Sequence, residues 1–395
     1  MSEKNTVVIV SGVRTAVGRF GGGLSTVKPS ELGAKVIAEA VKRAGLSTEQ
    51  VQQTFLGQVI PNEPRDAYIA RVAAVEAGIP HSAPALTVNR LCGSGLQAIV
   101  SATQSIMLGD CDIAVAGGAE NMSSAPYVMP AVRWGQKMGD APVLDCVTAA
   151  LEDPFGNGHM GITAENVAKQ FGIGREEQDV FANESHRRAS HAIAEGRFVD
   201  QILPIEITVR RKQQIIDTDE HVRSEVTIDD LAGMRPAFDR DGTVTPGNAS
   251  GINDGAGAIV LMSEKTAAEQ GVKPMARVLS YGLAGVDPAI MGMGPVDAVK
   301  QALQRARITV DDLDVIESNE AFAVQACAVA KELGFPADKT NPNGGAVALG
   351  HPVGATGAVI TVKALYELQR IGGRYGLITL CIGGGQGIAM VIEAV

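Results

Sequence analysis

The sequence predicts a layered α/β fold made of two similar halves with an insertion between them, and three observations carry that prediction. Short runs rich in Val and Ile alternate with stretches whose apolar residues recur at helical spacing. A stretch from about residue 89 to 122 is echoed weakly from about 341 to 387. Each runs from an asparagine through a glycine-rich turn into a long helix, a short turn, an apolar strand and a second glycine turn. Between the two, residues 122–250 are more polar and carry much of the charge.

In chain order, TVVIVSG (6–12) reads as a buried strand. PSELGAKVIAEAVKRAGLS (29–47) reads as a helix capped by Ser30 and closed at Gly45. QQTFLGQVI (52–60) is a strand, DAYIARVAAVEAGI (66–79) a helix, and ALTVNRL (85–91) a strand leading into Cys92. GLQAIVSATQSIMLGD (95–110) is an apolar helix and DIAVAGGAENM (112–122) a strand ending in a glycine turn. After the mostly helical insertion, GAGAIVLMS (255–263) returns to the first sheet. The second half has a helix at 294–308, a strand at 312–320, and the Asn-turn-helix-strand unit from 341. The expected units are therefore residues 1–121 with 251–273, the insertion 122–250, and residues 274–395.

Composition narrows the function. Of 395 residues 45% are hydrophobic, 20% charged and only 4% aromatic, and the formal net charge is −10. An acidic chain poor in aromatics suits neither a nucleic-acid partner nor stacked bases, and an anionic ligand must find a local basic patch. Gly, Asp or Arg interrupts each apolar run, so no membrane span is expected. The start of the chain lacks the pattern of a secretory leader, so the expected location is cytoplasmic. Five cysteines at 92, 111, 146, 327 and 381 are odd in number and widely spaced, fitting neither a disulfide framework nor a zinc site, and no metal is expected.

Four short segments concentrate the chemistry: LCGSG with Cys92, SNEAFA with Asn319 and Glu320, GHPVGATG with His351, and LCIGGGQG with Cys381. Each sets a reactive group where a strand ends or a helix begins, the usual place for sites in open α/β folds. Read singly, each has a plain structural reading: a small core thiol, a hydrogen-bonded histidine, a turn asparagine. Read together, a thiol and an imidazole in similarly built turns fit a nucleophile and its base, since a free thiol needs activation near neutrality. GGGQGI follows the last strand with no helix behind it, so it is not a dinucleotide turn.

The chain resembles the thiolase family over essentially its whole length, most closely the bacterial acetyl-CoA acetyltransferases and β-ketothiolases. NRLCGSGLQAI, GGAENMS, HMGITAENVA, GTVTPGNASGINDGA, NEAFA, GHPVGATGA and LCIGGGQG carry the resemblance, in that order. It implies a thiolase-like layered αβαβα fold with an inserted loop domain, and acyl transfer through a cysteine. Cys92 would be the nucleophile, its thiolate favoured by the helix start. His351 would take its proton and, with a water held by Asn319, stabilise an enolate. Cys381 would be the second acid–base, its thiol titrating closer to neutrality than a carboxylate. Backbone N–H groups of Cys92 and Gly383 would bind the oxyanion.

The resemblance also implies that CoA thioesters are substrates, with no further cofactor. Arg223 would lie near the nucleotide and Ser250 at the pantetheine amide. Leu151, His159 and Met160 would line the pantetheine and acyl channel, with Ala321 and Phe322 opposite. Arg210, Arg211 and Lys212 are either a basic anchor or a solvated charge run. A homotetramer of paired dimers is implied, with PYVMPAVRWGQKMGD (126–140) as a contact loop. A decarboxylating ketoacyl synthase is the competing enzyme reading, but it has no use for the second thiol of Cys381. A non-catalytic CoA or lipid carrier has no use for all three reactive groups.

Overall fold

The computed structural model describes residues 6–209 and 211–395. The first half contributes strands β1 (Val7–Arg14), β2 (Gln53–Gly57), β3 (Ala85–Val88) and β4 (Ile113–Asn121), with helices α1 (Pro29–Arg43), α2 (Ile69–Glu76) and α3 (Ser94–Leu108). The insertion leaves after β4. It holds α4 (Met160–Phe171), α5 (Arg175–Ala194) and a hairpin of β5 (Ile205–Val209) and β6 (Lys212–Ile216), then returns as β7 (Asn253–Ser263). The second half adds β8 (Ala276–Gly285), α6 (Gly294–Ala306), β9 (Val315–Ser318), α7 (Ala323–Leu333), α8 (Thr356–Ile371), β10 (Tyr375–Ile382) and β11 (Gln386–Ala394).

These strands form one ten-stranded sheet in the order β9-β10-β11-β8-β1-β7-β4-β2-β3, with Gly18–Arg19 paired onto β7. In the sheet the halves join where Val8 and Ile9 pair with Arg277 and Ala276. Outward from that seam the two halves repeat. β1-β7-β4-β2-β3 and β8-β11-β10-β9 have the same order and the same switch from antiparallel to parallel pairing. An isolated parallel bridge from Ile316 to Thr340 stands where the second half would place a fifth strand.

Strand alternation sorts the side chains into layers. Val8, Val10, Val260 and Met262 pack toward α1 and α2, whereas Val7, Ile9, Ile259 and Leu261 face a central core with Leu96, Ile99, Val362 and Leu365 of α3 and α8. Ile378 and Leu380 of the second half close that core from the other side. Leu377 and Val391 turn outward to α6 and α7, where Ala298, Ala302 and Val324 form a third core. The result is helices, strands, the α3–α8 pair, strands and helices, five layers in all. Two glycines let the central helices touch: a Cβ on Gly95 would lie 2.9 Å from Ala358 N, and one on Gly357 would strike Leu96. This close approach brings the starts of α3 and α8 together.

The elements depart from expectation in identifiable ways. Lys28, not Ser30, is the N-cap of α1, and it makes no side-chain cap bond; Pro29 sits at N1 and Ser30 is buried in the first turn. Gly45 closes the helix with a left-handed φ of 71°. Segment Leu91–Leu108 does reach the length and hydropathy of a membrane span, because glycines within it lower hydropathy too little to interrupt it. It is instead the central helix, more than half buried against protein. Strands β8 and β11 and helix α7 arise where the sequence marks no separate element.

Candidate active site

Cys92 immediately precedes Gly93, the N-cap of α3. Leu91 before it holds φ 46°, a conformation unusual for a leucine. A local network fixes the turn: Ser94 Oγ donates to Leu91 O at 2.6 Å and accepts from Arg90 N at 2.9 Å, and Leu91 N donates to Asn89 Oδ1 at 3.0 Å. His351 lies just ahead of Ala355, the N-cap of α8. Cys381 is the second-last residue of β10, and Gly383–Gly385 turn the chain into β11. Gly384 and Gly385 have φ of 79° and 83°, which only glycine adopts without strain.

Cys92, His351, Cys381 and Gly383 line one cavity of about 600 Å³. Leu151, His159, Met160, Ser250, Ala321, Phe322 and Arg223 line it as well. The backbone N–H of Gly383 is directed at the Cys92 sulfur. Asn319 does not reach the wall, but its Nδ2 lies 3.4 Å from His351 Nε2, and its buried Oδ1 has no protein partner. Arg211 and Lys212 are exposed at the hairpin tip and do not line the cavity; Arg210 lies outside the described residues.

Hydrogen bonding assigns the imidazole's tautomer. Thr356 Oγ1 donates its proton to Pro352 O at 2.9 Å, so it accepts from His351 Nδ1–H at 2.7 Å. Nε2 is then the unprotonated nitrogen, free to accept a proton. His351 N–H donates to Asn253 Oδ1 at 2.9 Å, and Asn253 Nδ2 donates to Gly18 O at 3.0 Å, tying the histidine turn to the first half. Burial depresses the His351 pKa to about 4, so the ring is neutral at physiological pH.

The thiols differ from expectation. Part of Cys92 faces the cavity, yet the sulfur is walled by apolar protein, and burial pushes its pKa up to about 11 against the opposing Gly383 N–H. The helix start does not offset that desolvation, and the resting pair is thiol and neutral imidazole, not thiolate and imidazolium. Burial also pushes the Cys381 thiol above the ordinary thiol range, and the Cys92 sulfur adds to the effect. Cys381 is therefore a protonated thiol at rest, buried beside the Cys92 sulfur.

The remaining walls define a long, mainly apolar slot. His159 caps α4, its Nδ1 accepting from Gly161 N at 3.0 Å, and stacks on Phe238 with ring centroids 4.7 Å apart. Burial lowers its pKa. Phe238 meets Phe322 edge-to-face at 6.2 Å. Ser250 N donates to Ala321 O at 3.0 Å, holding the insertion's return against α7's approach. His221, neutral because burial and then Arg223 lower its pKa to about 4, lines the slot beside Arg223, and Phe20 lines it too. Phe238, His221, Phe20, Asn253 and Thr356 were not singled out from sequence. Only Thr356 had a local signal, a hydroxyl at the helix start within GHPVGATG.

Comparison with known proteins agrees with this geometry. Family models of the thiolase N-terminal and C-terminal domains match residues 7–265 and 272–394. A beta-ketothiolase of Cupriavidus necator is 60% identical over 98% of this chain and 99% of its own length. An acetyl-CoA acetyltransferase of Chromobacterium violaceum is 50% identical over 98% of this chain and 99% of its own. The crystal structure of the Bacillus anthracis acetyl-CoA acetyltransferase superposes with a TM-score of 0.98 at 48% identity, covering all of both chains. Human mitochondrial 3-ketoacyl-CoA thiolase in complex with CoA gives 0.96 at 41% identity, covering 99% of this chain and 98% of its own. With both halves matched and the paired thiols and imidazole gathered between them, the chain belongs to the thiolase family.

Proposed function

We propose that this protein is an acetyl-CoA C-acetyltransferase, or β-ketothiolase, which condenses two acyl-CoA molecules or cleaves 3-ketoacyl-CoA with CoA. The single observation that carries the reading is two thiols and one imidazole lining the same cavity. Its named relatives, thiolases and acetyl-CoA acetyltransferases, and the CoA held by the human one support the substrate class. CoA thioesters are substrates, and no other cofactor enters the reaction.

In this reading Cys92 passes its proton to His351 Nε2 as the sulfur attacks the acetyl-CoA carbonyl. N–H groups of Cys92 and Gly383 stabilise the oxyanion, each such donor contributing about 3–4 kcal/mol to the transition state. Cys381 gives its proton to the departing CoA sulfur and becomes a thiolate beside the imidazolium. That thiolate removes an α-proton from the second acetyl-CoA, whose enolate oxygen is held by His351 and a water on Asn319. The carbon attacks the Cys92 thioester, and Cys92 leaves and recovers its proton from His351. Every proton is returned, and thiolysis runs the same steps backwards. Burial keeps the Cys381 thiol protonated at rest, and the imidazolium formed on His351 favours the thiolate that the next step needs.

Arg223 and Ser250 serve the CoA nucleotide and pantetheine, with Leu151, His159, Met160, Ala321 and Phe322 along the chain. Residues 122–250 act as the substrate-binding unit between the two halves, 1–121 with 251–273 and 274–395. The exposed Tyr127, Val128, Val132, Trp134 and Met138 support a homotetramer with this loop at a contact. Five free cysteines support a reducing compartment such as the cytoplasm. Steady-state kinetics with acetyl-CoA alone, against short and medium 3-ketoacyl-CoA plus CoA, test the activity. Turnover of either set supports it; no CoA release and no ketoacyl cleavage by the wild type rejects it.

A further inference from the structure

We propose that Arg14 and Asp219 are positioning residues that set the nucleotide end of the substrate slot, an inference that rests on the CoA-thioester reading above. Arg14 closes β1 and is fully buried. Its Nη1 and Nη2 donate to the two carboxylate oxygens of Asp219 at 2.7 and 3.0 Å, and Nε donates to Gln201 Oε1 at 2.8 Å. The guanidinium also lies over the Phe198 ring, 4.9 Å from its centroid. Asp219, Gln201 and Phe198 all belong to the insertion, and Asp219 Oδ1 takes a further bond from Val17 N at 2.8 Å. Main-chain bonds run beside the fork, Leu203 N to Arg14 O at 2.7 Å and Arg14 N to Gln201 O at 2.9 Å.

The next residue extends the clamp. Glu220 N donates to Val17 O, and its carboxylate accepts from Arg19 N at 3.1 Å and Gly23 N at 3.0 Å. Directly beyond it, His221 and Arg223 enter the slot, and Arg223 N donates to buried His186 Nδ1 at 3.2 Å. Phe20, on the other arm of the clamp, lines the same slot. One buried fork therefore fixes both sides of the slot's mouth. No carboxylate among the described residues pairs with the Arg223 guanidinium, which is left to meet an anion.

A fully buried ion pair adds little stability over a well-packed apolar pair, so stability alone does not account for a fork at this place. What the fork does supply is direction: a planar, bidentate contact fixes the register of the insertion against β1.

The test compares acetyl-CoA with acetyl-pantetheine, which lacks the nucleotide, in Asp219→Asn and in the double variant Arg14→Met with Asp219→Leu, which removes both charges together. CoA binding is measured alongside by calorimetry. The expected result is a rise of about tenfold in KM for acetyl-CoA and in the CoA dissociation constant, with kcat changed less than about threefold and kcat/KM for acetyl-pantetheine unchanged. Wild-type CoA binding in both variants, an equal loss on acetyl-pantetheine, or failure of both variants to fold overturns the proposal. An inactive wild type would reject the acyl-transfer reading instead, while calorimetry still reports on the fork.

Discussion

The two halves of the molecule share strand order and pairing sense but differ at one equivalent connection. In the first half, β4 and β7 are joined by residues 122–252; in the second, β10 and β11 are joined by Gly383–Gly385. The long connection supplies most of the slot: Leu151, His159, Met160, Arg223, Phe238 and Ser250. The short one brings Gly383 to the cavity wall beside Cys381. The halves thus divide the lining. Cys92 and most of the slot wall come from the first half and its insertion. His351, Cys381 and the Gly383 turn come from the second. Neither half lines the cavity alone, and the close α3–α8 contact at Gly95 and Gly357 brings their contributions together.

Breaking the first half's contribution has the largest expected effect. Cys92→Ala should lower turnover by on the order of a thousandfold or more and abolish radiolabel transfer from acetyl-CoA to protein. Labelling at the wild-type rate would remove Cys92 as nucleophile. Cys381→Ser, in the second half, should still form the acetyl-Cys92 adduct, more slowly because the departing CoA loses its proton donor, and should slow α-proton exchange in acetyl-CoA by about a hundredfold or more, read by NMR. Thr356→Val keeps the shape of the α8 start but frees the imidazole to change tautomer. A fall in kcat of about tenfold to a hundredfold with KM steady is expected, by the logic of an orienting partner. An unchanged kcat would separate Thr356 from His351. His159→Ala removes a stack on Phe238 worth about 1 kcal/mol, so KM should rise by about fivefold with kcat nearly constant.

The titration properties sharpen the comparison further. His351 is pushed down to about 4 and Cys92 up to about 11, so no ion pair forms at neutral pH. The wild-type minus Cys92→Ala difference spectrum should show no thiolate absorbance at neutral pH. The acid limb of Cys92 acylation should fall near pH 4, where His351 gains a proton, and not near 6.5. A thiolate signal at neutral pH would mean that the helix start outweighs burial.

The alternation of strands and helices was readable because buried strands such as β1 and β10 are continuous apolar runs, and α3 and α8 are long and framed by glycine turns. Cys92, His351 and Cys381 each mark a junction between such elements, and the cavity gathers all three, but read singly each fitted a structural part and the role of Cys381 came only with the family resemblance. Strand β8 was harder, since ARVLSYGLAG mixes buried and half-buried positions and has no clean period. The wall formed by Phe238 and His221 was not legible, because these residues sit in polar, irregular stretches that only the fold brings to the slot. The clamp at Arg14 and Asp219 joins positions 205 residues apart in sequence, and no local pattern marks it. Desolvation likewise depends on neighbours distant in sequence, so the resting protonation of both thiols had to await their surroundings.

The most direct measurement is peptide mapping of the adduct formed when the Cys381→Ser enzyme is mixed with acetyl-CoA. The account predicts a single acetyl thioester on the peptide bearing Cys92, formed with release of free CoA. An adduct on any other residue, or none on a folded enzyme, would contradict it.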